Sequence, residues 1–127
     1  MRFPENLKYT KDHEWARIDG KTVTVGITDH AQRELGDVVY VEVPAAGRTL
    51  KKGETFGVVE SIKAVSDLYS PVDGKVIESN NALKDSPADI NQDPHGKAWL
   101  VKIELTGAAP ADLMDAAAYS KYVDTLK

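Results

Sequence analysis

Cysteine is absent from this 127-residue sequence. Its absence excludes disulfide bonds, thiolate metal ligands and cysteine nucleophiles. Long apolar runs are also missing, since no stretch approaches the roughly 20 residues that a membrane-spanning helix requires. The first ten residues, MRFPENLKYT, resemble neither a signal peptide nor a transit peptide. We therefore expect no membrane segment and no targeting peptide.

Basic residues are also fewer than acidic ones. Sixteen Lys and Arg residues stand against 20 Asp and Glu residues, which gives a formal net charge of −4. Because no basic stripe marks a nucleic-acid footprint, we expect no nucleic-acid partner. A chain of this length can fold around one core without disulfide or metal staples, and we predict a single domain over residues 1–127.

The three histidines, His13, His30 and His95, are far apart in the sequence, and none has a second histidine at i+3 or i+4. A zinc site would require that folding brings them together. We expect histidines on the surface or in loops, and no metal.

Alternation of apolar and polar residues predicts antiparallel strands. One alternating segment follows the Asp19-Gly20 pair, which can supply the positive φ angles of a tight hairpin turn. The same alternation recurs in two later segments. The alternating sets are Val23, Val25 and Ile27; Val39, Val41 and Val43; and Trp99, Val101 and Ile103.

Three segments have helix signals, of which the shortest is a single turn with Ser86 as N-cap and Pro87 at its first position. Thr28 or Asp29 can cap the start of a helix of about two turns, and Gly36 can end it with a positive φ. The tail is predicted to be helical over about residues 110–126 and to pack against the sheet. Its apolar residues form two groups, namely Leu113, Met114 and Ala117, and Tyr119, Tyr122, Val123 and Leu126.

Lys63 lies at the tip of a hairpin predicted over about residues 56–70. The tip segment ESIKAVS lacks Gly, Asn and Pro, so its turn uses ordinary right-handed backbone, as a type I turn does. We expect Lys63 to point outward. The small side chain of Ala64 leaves the amine approachable by a large partner.

Three functions are open for this lysine. It can serve solubility, as most exposed lysines do. It can react through its amine, although a Schiff-base lysine must lose its proton, and the carboxylates of Glu60 and Asp67 favour the charged ammonium. It can also be a covalent attachment point.

The segment ESIKAVSDLYSPVDGKVIESN, residues 60–80, resembles the lipoyl-lysine motif of the glycine cleavage system H-protein family, E-S-(V/I)-K-A. Five further segments resemble that family in order and spacing, so the resemblance covers nearly the whole chain. They are LKYTKDHEWARI, VGITDHAQRELGDVVYVEVP, GETFGVVES, INQDPHGKAWLVKI and AYSKYVD. Departures at Ile62, Asp73 and Ala98 are small and fall where the family varies.

Two related classes of carrier match less well. Biotin carriers place methionine on both sides of the modified lysine, whereas Ile62 and Ala64 flank Lys63. Lipoyl domains of the 2-oxoacid dehydrogenase complexes usually have D-K-A at the tip, are shorter, and are tethered by Ala/Pro-rich linkers. This chain shows no such linker, and those domains lack its C-terminal helix.

The resemblance implies a mainly β fold, a barrel-sandwich hybrid of two small sheets with short peripheral helices and a C-terminal helix. It also implies lipoate bound covalently to Lys63 as N6-lipoyllysine, on a carrier without catalytic turnover of its own. Such a carrier takes the aminomethyl group of glycine from a decarboxylase to an aminomethyltransferase and then presents its dithiol for reoxidation. A relay of lipoyl groups, or a carrier for another lipoate-dependent complex, is the alternative.

The implied partners are four enzymes: a pyridoxal-phosphate glycine decarboxylase, a tetrahydrofolate-dependent aminomethyltransferase, a dihydrolipoyl dehydrogenase with FAD, and a lipoate-attaching enzyme. Their docking is transient, so we expect a modest, partly charged contact surface around Lys63 rather than a large apolar patch. The implied location is the bacterial cytoplasm, or the mitochondrial matrix for a processed eukaryotic chain.

The resemblance assigns roles to residues around the lysine. Glu14 in DHEW and Asp67 in VSD match positions implicated in holding the loaded arm, whose amine is cationic, and we expect both in one surface cleft. A solvated surface carboxylate is the alternative for each. The tip residues that match the family motif are Glu60, Ser61, Ile62 and Ala64. For Glu60, a simple exposed carboxylate is the alternative.

Overall fold

The computed structural model describes residues 3–126, in which nine strands, three α-helices and one 3-10 turn are found. The strands are β1 (Lys8–Tyr9), β2 (Glu14–Asp19), β3 (Thr22–Ile27), β4 (Val38–Glu42), β5 (Thr49–Leu50), β6 (Thr55–Ser61), β7 (Val65–Tyr69), β8 (Gly74–Ser79) and β9 (Val101–Leu105). The helices are α1 (Asp29–Leu35), α2 (Asp89–Gln92) and α3 (Ala116–Thr125), and the 3-10 turn spans Asn81–Lys84.

The strands form two antiparallel sheets. One sheet has six strands in the order β1-β2-β3-β9-β8-β5, and the other has three in the order β4-β6-β7. Neither closes into a barrel within the described residues, and the two share one core. The predicted mainly β, sandwich-like architecture with short helices is therefore confirmed.

The main core lies between the two sheets. Successive residues of a strand point to opposite faces, so each strand contributes alternate side chains to it. The six-stranded sheet contributes Val23, Val25, Val76 and Ile103, and the three-stranded sheet contributes Val41, Phe56, Val59 and Leu68. Leu35 of α1 and Ile90 of α2 join the same cluster. Burying each such side chain stabilises the fold by roughly 1.5–3 kcal/mol, and this burial holds both helices against the shared core.

A second, aromatic cluster attaches the C-terminal helix. Tyr119 of α3 stacks on Tyr9 of β1, with ring centroids 4.7 Å apart and planes inclined by 7°. Trp15 and Val123 are buried in the same cluster. The predicted packing of the tail through Tyr119 and Val123 is therefore confirmed.

The start of this helix differs from the prediction. The helix begins at Ala116, and Asp115 caps it by accepting a hydrogen bond from a backbone N–H. The predicted start near residue 110 is wrong because Met114 forms a β-bridge with Tyr9 through two backbone hydrogen bonds of 2.8 Å. Of the helices within residues 3–126, none is long and apolar enough to cross a membrane.

The buried face of β4 also differs from simple alternation. Its pairing with β6 shifts register between Val38 and Tyr40. As a result Val38 and Val41 are buried, whereas Val39 is exposed. The predicted face is thus wrong at Val39, because a shift of one residue turns a side chain to the other side of a sheet.

The predicted face of the last strand holds for only two of its three residues. Val101 and Ile103 are fully buried in the main core. Trp99 precedes β9 and packs against the aromatic cluster instead, with the Lys102 ammonium 4.9 Å from a ring centroid. The alternation therefore begins at the strand itself and does not include Trp99.

Short-range turn and cap signals are mostly confirmed. Thr28 caps α1 with its hydroxyl oxygen, and Gly36 follows the helix with φ +78°. Gly20 adopts φ +62° in the β2–β3 turn, as expected. Asp19, however, is still paired with Thr22 as the last residue of β2, so it is not one of the positive-φ positions.

Candidate functional site

Lys63 lies at the apex of the β6–β7 hairpin. The apex closes with a hydrogen bond from the Ser61 N–H to the Ala64 carbonyl, N···O 2.8 Å. The Ser61 hydroxyl oxygen accepts the backbone N–H groups of Lys63 and Ala64 at 3.2 and 3.0 Å. Among the described residues, His13 is the only non-glycine residue with a positive φ. The apex turn therefore contains no positive φ angle, as predicted. A local hydrogen-bond network therefore fixes the turn that presents Lys63.

The Lys63 side chain is exposed, and within residues 3–126 no carboxylate oxygen lies within 4.0 Å of its Nζ. Its stem passes Gly36, where an added Cβ would lie 3.5 Å from Lys63 Cε. The neighbouring Ile62 N–H donates to the Asp37 carbonyl at 3.2 Å, which ties the apex to the loop after α1. The amine is thus accessible on a supported turn, which is what covalent attachment by another protein requires.

A cavity of about 250 Å³ opens beside the apex, between α1, the turn before β2 and the edge strand β7. Glu14 and Asp67, which were predicted to share a cleft, both line it. The other lining residues are Asp12, His13, Ile27, Ala31, Glu34, Leu35, Ala64, Val65, Ser66 and Leu68. The fold thus brings the two carboxyl groups together next to the hairpin that carries Lys63.

The two carboxyl groups differ in burial. Asp67 is exposed, but Glu14 is only 2% exposed. Its Oε1 accepts the Thr10 hydroxyl at 2.7 Å, and its Oε2 accepts the Tyr69 N–H at 3.3 Å. Burial raises the pKa of Glu14 to about 7, although both hydrogen bonds lower it. The solvated-carboxylate alternative is therefore wrong for Glu14, which is a buried carboxyl group in the wall of the cavity.

The whole chain was compared with known proteins. Residues 7–126 match the family model described as glycine cleavage H-protein. The chain belongs to the glycine cleavage H-protein family. The glycine cleavage system H protein of Anaeromyxobacter sp. (strain K) is 55% identical over 125 residues, which cover 98% of each chain. The one from Bacteroides thetaiotaomicron is 50% identical over 125 residues, or 98% of this chain and 99% of the relative.

A solved structure agrees with this H-protein family assignment. The crystal structure of a glycine cleavage system H protein from Mycobacterium marinum superimposes with a TM-score of 0.86 at 42% sequence identity. The match covers 98% of both chains. The family resemblance seen in the sequence and the fold class that it implied are confirmed.

The loop that supports the apex of this H-protein family member is held by Asn91 of α2. Its Oδ1 accepts the Val38 N–H at 2.9 Å. Its Nδ2 donates to Gln32 Oε1 at 3.0 Å and to the Gly36 carbonyl at 2.8 Å. One side chain thus joins the end of α1 to the start of β4. Asn91 was not predicted from the sequence, because its partners lie 53 to 59 residues away.

The residues of the predicted tip motif all lie on the hairpin or its apex. Ile62 and Ala64 are exposed, and Glu60 and Ser61 are half-buried. Ser61 has the structural role described above, in addition to any contact with an attaching enzyme. The other three side chains lie within three residues of Lys63 along the chain.

The histidines are closer together than their sequence positions indicate. His30 is buried, so the expectation of surface or loop histidines is wrong for it, and its ring centroid lies 4.6 Å from that of His13. His13 Nδ1 lies 2.7 Å from the Tyr119 hydroxyl, and His95 Nε2 accepts the Asp29 N–H at 3.1 Å. Burial lowers the pKa of His13 and that of His95. Across the described chain, no group of three or more His, Asp or Glu residues is arranged to hold a metal ion.

A second cavity, of about 400 Å³, is also lined by Glu14 and was not predicted. An ion pair between Lys52 and Asp112 lies among its lining residues. The others are Thr10, Lys11, Asp12, Gly53, Tyr69, Ser70, Pro71, Leu113 and Met114. Glu14 therefore borders both cavities.

Proposed function

We propose that this member of the glycine cleavage H-protein family carries lipoate as an amide on Lys63 Nζ and acts as the lipoyl carrier of the glycine cleavage system. The observation that carries the proposal is the exposed Lys63 amine, on a turn fixed by Ser61, beside a cavity with a buried carboxyl group. The residues present fit the group, because the amine is accessible and has no carboxylate within 4.0 Å among residues 3–126.

The lipoyl group, when bound, would supply the disulfide that accepts the aminomethyl group of glycine and the dithiol that is later reoxidised. The residues of the chain would position that group and shelter its end. Glu14 and Asp67 supply carboxyl groups for a cationic amine in the smaller cavity. Because the pKa of Glu14 is about 7, the group is only partly ionised near neutral pH, and a cation beside it would favour the ionised form.

The protein would act as a carrier without turnover of its own. Tethering a reactive group to a mobile side chain gives it a high local concentration at each enzyme that docks. The partners that we infer are glycine decarboxylase with pyridoxal phosphate, aminomethyltransferase with tetrahydrofolate, dihydrolipoyl dehydrogenase with FAD, and a lipoate-attaching enzyme. The bacterial relatives support a cytoplasmic location.

Intact mass spectrometry tests the attachment. The chain is incubated with lipoate, ATP and a lipoate-attaching enzyme, since recombinant material can be unmodified. One lipoyl increment is expected on the wild type, none on Lys63→Arg, and one on the matched control Lys75→Arg, whose lysine is exposed on β8. The absence of an increment on the wild type, or an increment that persists in Lys63→Arg, contradicts the proposal. Turnover by the unmodified chain would instead identify a reactive amine.

A further inference from the structure

The Glu14 carboxyl group is held from the side of the larger cavity. Its Oε1 accepts the Thr10 hydroxyl at 2.7 Å, and its Oε2 accepts the Tyr69 N–H at 3.3 Å. Thr10 and Tyr69 both line the cavity of about 400 Å³. The cavity of about 250 Å³ beside the apex is lined by Glu14 and by neither donor. In the smaller cavity Glu14 is thus present without the groups that hold it.

The turn between β1 and β2 orients the Thr10 hydroxyl towards Glu14. The hydroxyl oxygen accepts the backbone N–H of Glu14 at 3.2 Å and that of Asp12 at 3.3 Å. The backbone N–H of Thr10 donates in turn to the Glu14 carbonyl at 3.0 Å. Because the oxygen is the acceptor in both of the first two bonds, the hydroxyl hydrogen is left to donate to Oε1. Thr10 and Glu14 are therefore joined through both their backbones and their side chains.

The Glu14 carboxyl group has no cationic partner in the described part of the chain. Within residues 3–126, no Lys, Arg or His nitrogen lies within 4.0 Å of its oxygens. The other titratable groups of the smaller cavity are Asp12, His13, Glu34 and Asp67. Those of the larger cavity are Lys11, Asp12, Lys52, Tyr69 and Asp112, of which Lys52 and Asp112 form an ion pair.

Two neutral groups complete these surroundings. Burial lowers the pKa of His13, which keeps this ring mostly uncharged near neutral pH. From α3, Tyr119 stays neutral because burial, and to a smaller extent the charge of Glu14, raise its pKa. The ionised form of Glu14 is therefore stabilised by neutral hydrogen-bond donors, and Thr10 is the donor that a side-chain substitution can remove.

We propose that Thr10 is a positioning residue, whose hydroxyl holds the Glu14 carboxyl group as a hydrogen-bond acceptor so that this group can bind a cationic amine in the smaller cavity. The inference rests on the proposed function, in which Glu14 faces the amine of the loaded arm. A donor that bonds to the ionised form of a carboxyl group favours that form. Burial raises the pKa of Glu14 to about 7, and the Thr10 hydrogen bond acts against that rise.

Carbon NMR of the unmodified carrier tests the role of Thr10 without lipoate. In protein labelled with ¹³C-glutamate, the Glu14 carboxyl signal is assigned by its absence from Glu14→Gln and is followed as a function of pH. Thr10→Val has nearly the shape of threonine but no hydroxyl, and it should raise the pKa of Glu14 by about one pH unit. Thr10→Ser keeps the hydroxyl and should keep the pKa of the wild type.

The direction of the change separates positioning from a merely structural role. If Thr10 only closed the turn, its loss would admit water to Glu14 and lower the pKa, because burial is what raises it. Ser79→Ala is the control, since its hydroxyl donates to the Pro44 carbonyl at 2.6 Å and neither residue lines a cavity with Glu14. A pKa that falls or stays constant in Thr10→Val, or that rises equally in Ser79→Ala, would overturn the proposal.

The lifetime of the loaded carrier tests the consequence for the amine. A rise of one pH unit from a pKa near 7 reduces the ionised fraction of Glu14 about fivefold at neutral pH. The aminomethyl-loaded form of Thr10→Val should therefore decay faster than the wild type, by up to about that factor, while Thr10→Ser decays as the wild type does. The difference should vanish as pH rises above both pKa values, because Glu14 is then ionised in each protein.

The outcomes separate this proposal from the proposed function. A wild type that acquires no lipoyl group contradicts the function, whereas the pKa of Glu14 still decides the role of Thr10, because it is measured without lipoate. A shorter lifetime in Glu14→Gln but not in Thr10→Val contradicts only the positioning role. Equal lifetimes for the wild type and Glu14→Gln would overturn the role of Glu14 and that of Thr10 together.

Discussion

The side-chain carboxylate of Glu14 accepts the backbone N–H of Tyr69, with 3.3 Å between the nitrogen and Oε2. Tyr69 ends β7, which is an edge of the three-stranded sheet. Edge strands expose unpaired backbone groups, and here a residue of the six-stranded sheet satisfies one of them. The same carboxyl group lines the cavity beside the apex. One ionisable side chain therefore links the two sheets and borders the candidate site.

The burial of Glu14 predicts a stability that depends on pH. Its pKa is raised from 4.5 to about 7 in the folded protein, so between these pH values the folded state binds more protons than the unfolded state. The free energy of unfolding should therefore decrease as pH rises through this window, by about 3 kcal/mol from this group alone. Glu14→Gln should remove that decrease, since an amide can accept from Tyr69 and donate to Thr10 without ionising.

Urea denaturation of the wild type and of Glu14→Gln at several pH values from 4.5 to 8 measures the effect. The difference between the two proteins is the informative quantity, because His13 and His95 titrate in both and cancel in it. Glu14→Gln should become more stable relative to the wild type as pH rises. A difference that does not change with pH would show that Glu14 titrates normally.

The two carboxyl groups of the smaller cavity are also expected to protect the loaded carrier. Replacing both, as Glu14→Gln/Asp67→Asn, should speed the breakdown of the aminomethyl-loaded form, because the cationic amine loses its counter-charges. The decay is followed by mass spectrometry of samples incubated without partner enzymes. Asp19→Asn/Glu104→Gln is the control, since both of its carboxylates are exposed on the six-stranded sheet. If the two double variants decay at the same rate, the cavity carboxyl groups have no such role.

Features set by nearby residues could be predicted from the sequence. The hairpin expected over about residues 56–70 is found as β6 and β7, over Thr55–Ser61 and Val65–Tyr69. The cap at Thr28 and the positive φ of Gly36 depend only on the residues beside them. The apex turn was also correctly described, since the hydrogen bonds that close it join Ser61 to Lys63 and Ala64.

Features set by distant contacts could not be predicted in this way. The helix near the C-terminus starts late because Met114 pairs with Tyr9, from the other end of the chain. The family resemblance pointed to Glu14, but the carboxyl group of Glu14 is buried against Tyr69 of β7, which lies 55 residues away in the sequence. The exposure of Val39 depends on a register shift in β4, which alternation alone does not reveal.

Close packing of Trp15 on Gly26 predicts a large effect of a small substitution. The two residues are paired between β2 and β3, and a Cβ on Gly26 would lie 2.5 Å from the indole ring. The ring cannot move away easily, since it is fully buried and its Nε1 donates to the Pro94 carbonyl at 2.8 Å. Gly26→Ala should therefore cost about 3 kcal/mol of unfolding free energy.

Urea denaturation measures this cost, with Gly107→Ala as the control. Nothing lies within 4 Å of a Cβ added at Gly107, so that variant should differ from the wild type by less than about 0.5 kcal/mol. A Gly26→Ala protein as stable as the control would show that the sheet accommodates the methyl group by moving.

The Ser61 hydroxyl is expected to matter for acylation of Lys63 more than for global stability. Ser61→Ala removes the acceptor of two apex N–H groups, those of Lys63 and Ala64. These groups are exposed and can bond to water, so the unfolding free energy should fall by only about 1 kcal/mol. A less ordered apex should lower the rate of lipoylation. Ser66→Ala on β7 is the control, and equal lipoylation rates for the two alanine variants would contradict the prediction.

Asn91 is expected to hold the apex in place from outside the hairpin. Asn91→Ala removes three hydrogen bonds, to Gln32, Gly36 and Val38. The unfolding free energy should fall by about 2 kcal/mol, because half-buried backbone groups lose their partners. The loop after α1 should loosen as well, and Ile62 donates its N–H to that loop. Hydrogen exchange of the Ile62 amide should therefore become faster.

Asn80→Ala distinguishes this local effect from a general loss of stability. Asn80 Nδ2 donates to the carbonyls of Lys97 and Trp99, at 3.0 and 2.8 Å, so its loss also leaves backbone groups without partners. Both alanine variants should be destabilised, but only Asn91→Ala should accelerate exchange at Ile62 under native conditions, where local opening dominates. Equal acceleration in the two variants would mean that the apex responds to overall stability, and that Asn91 does not position it.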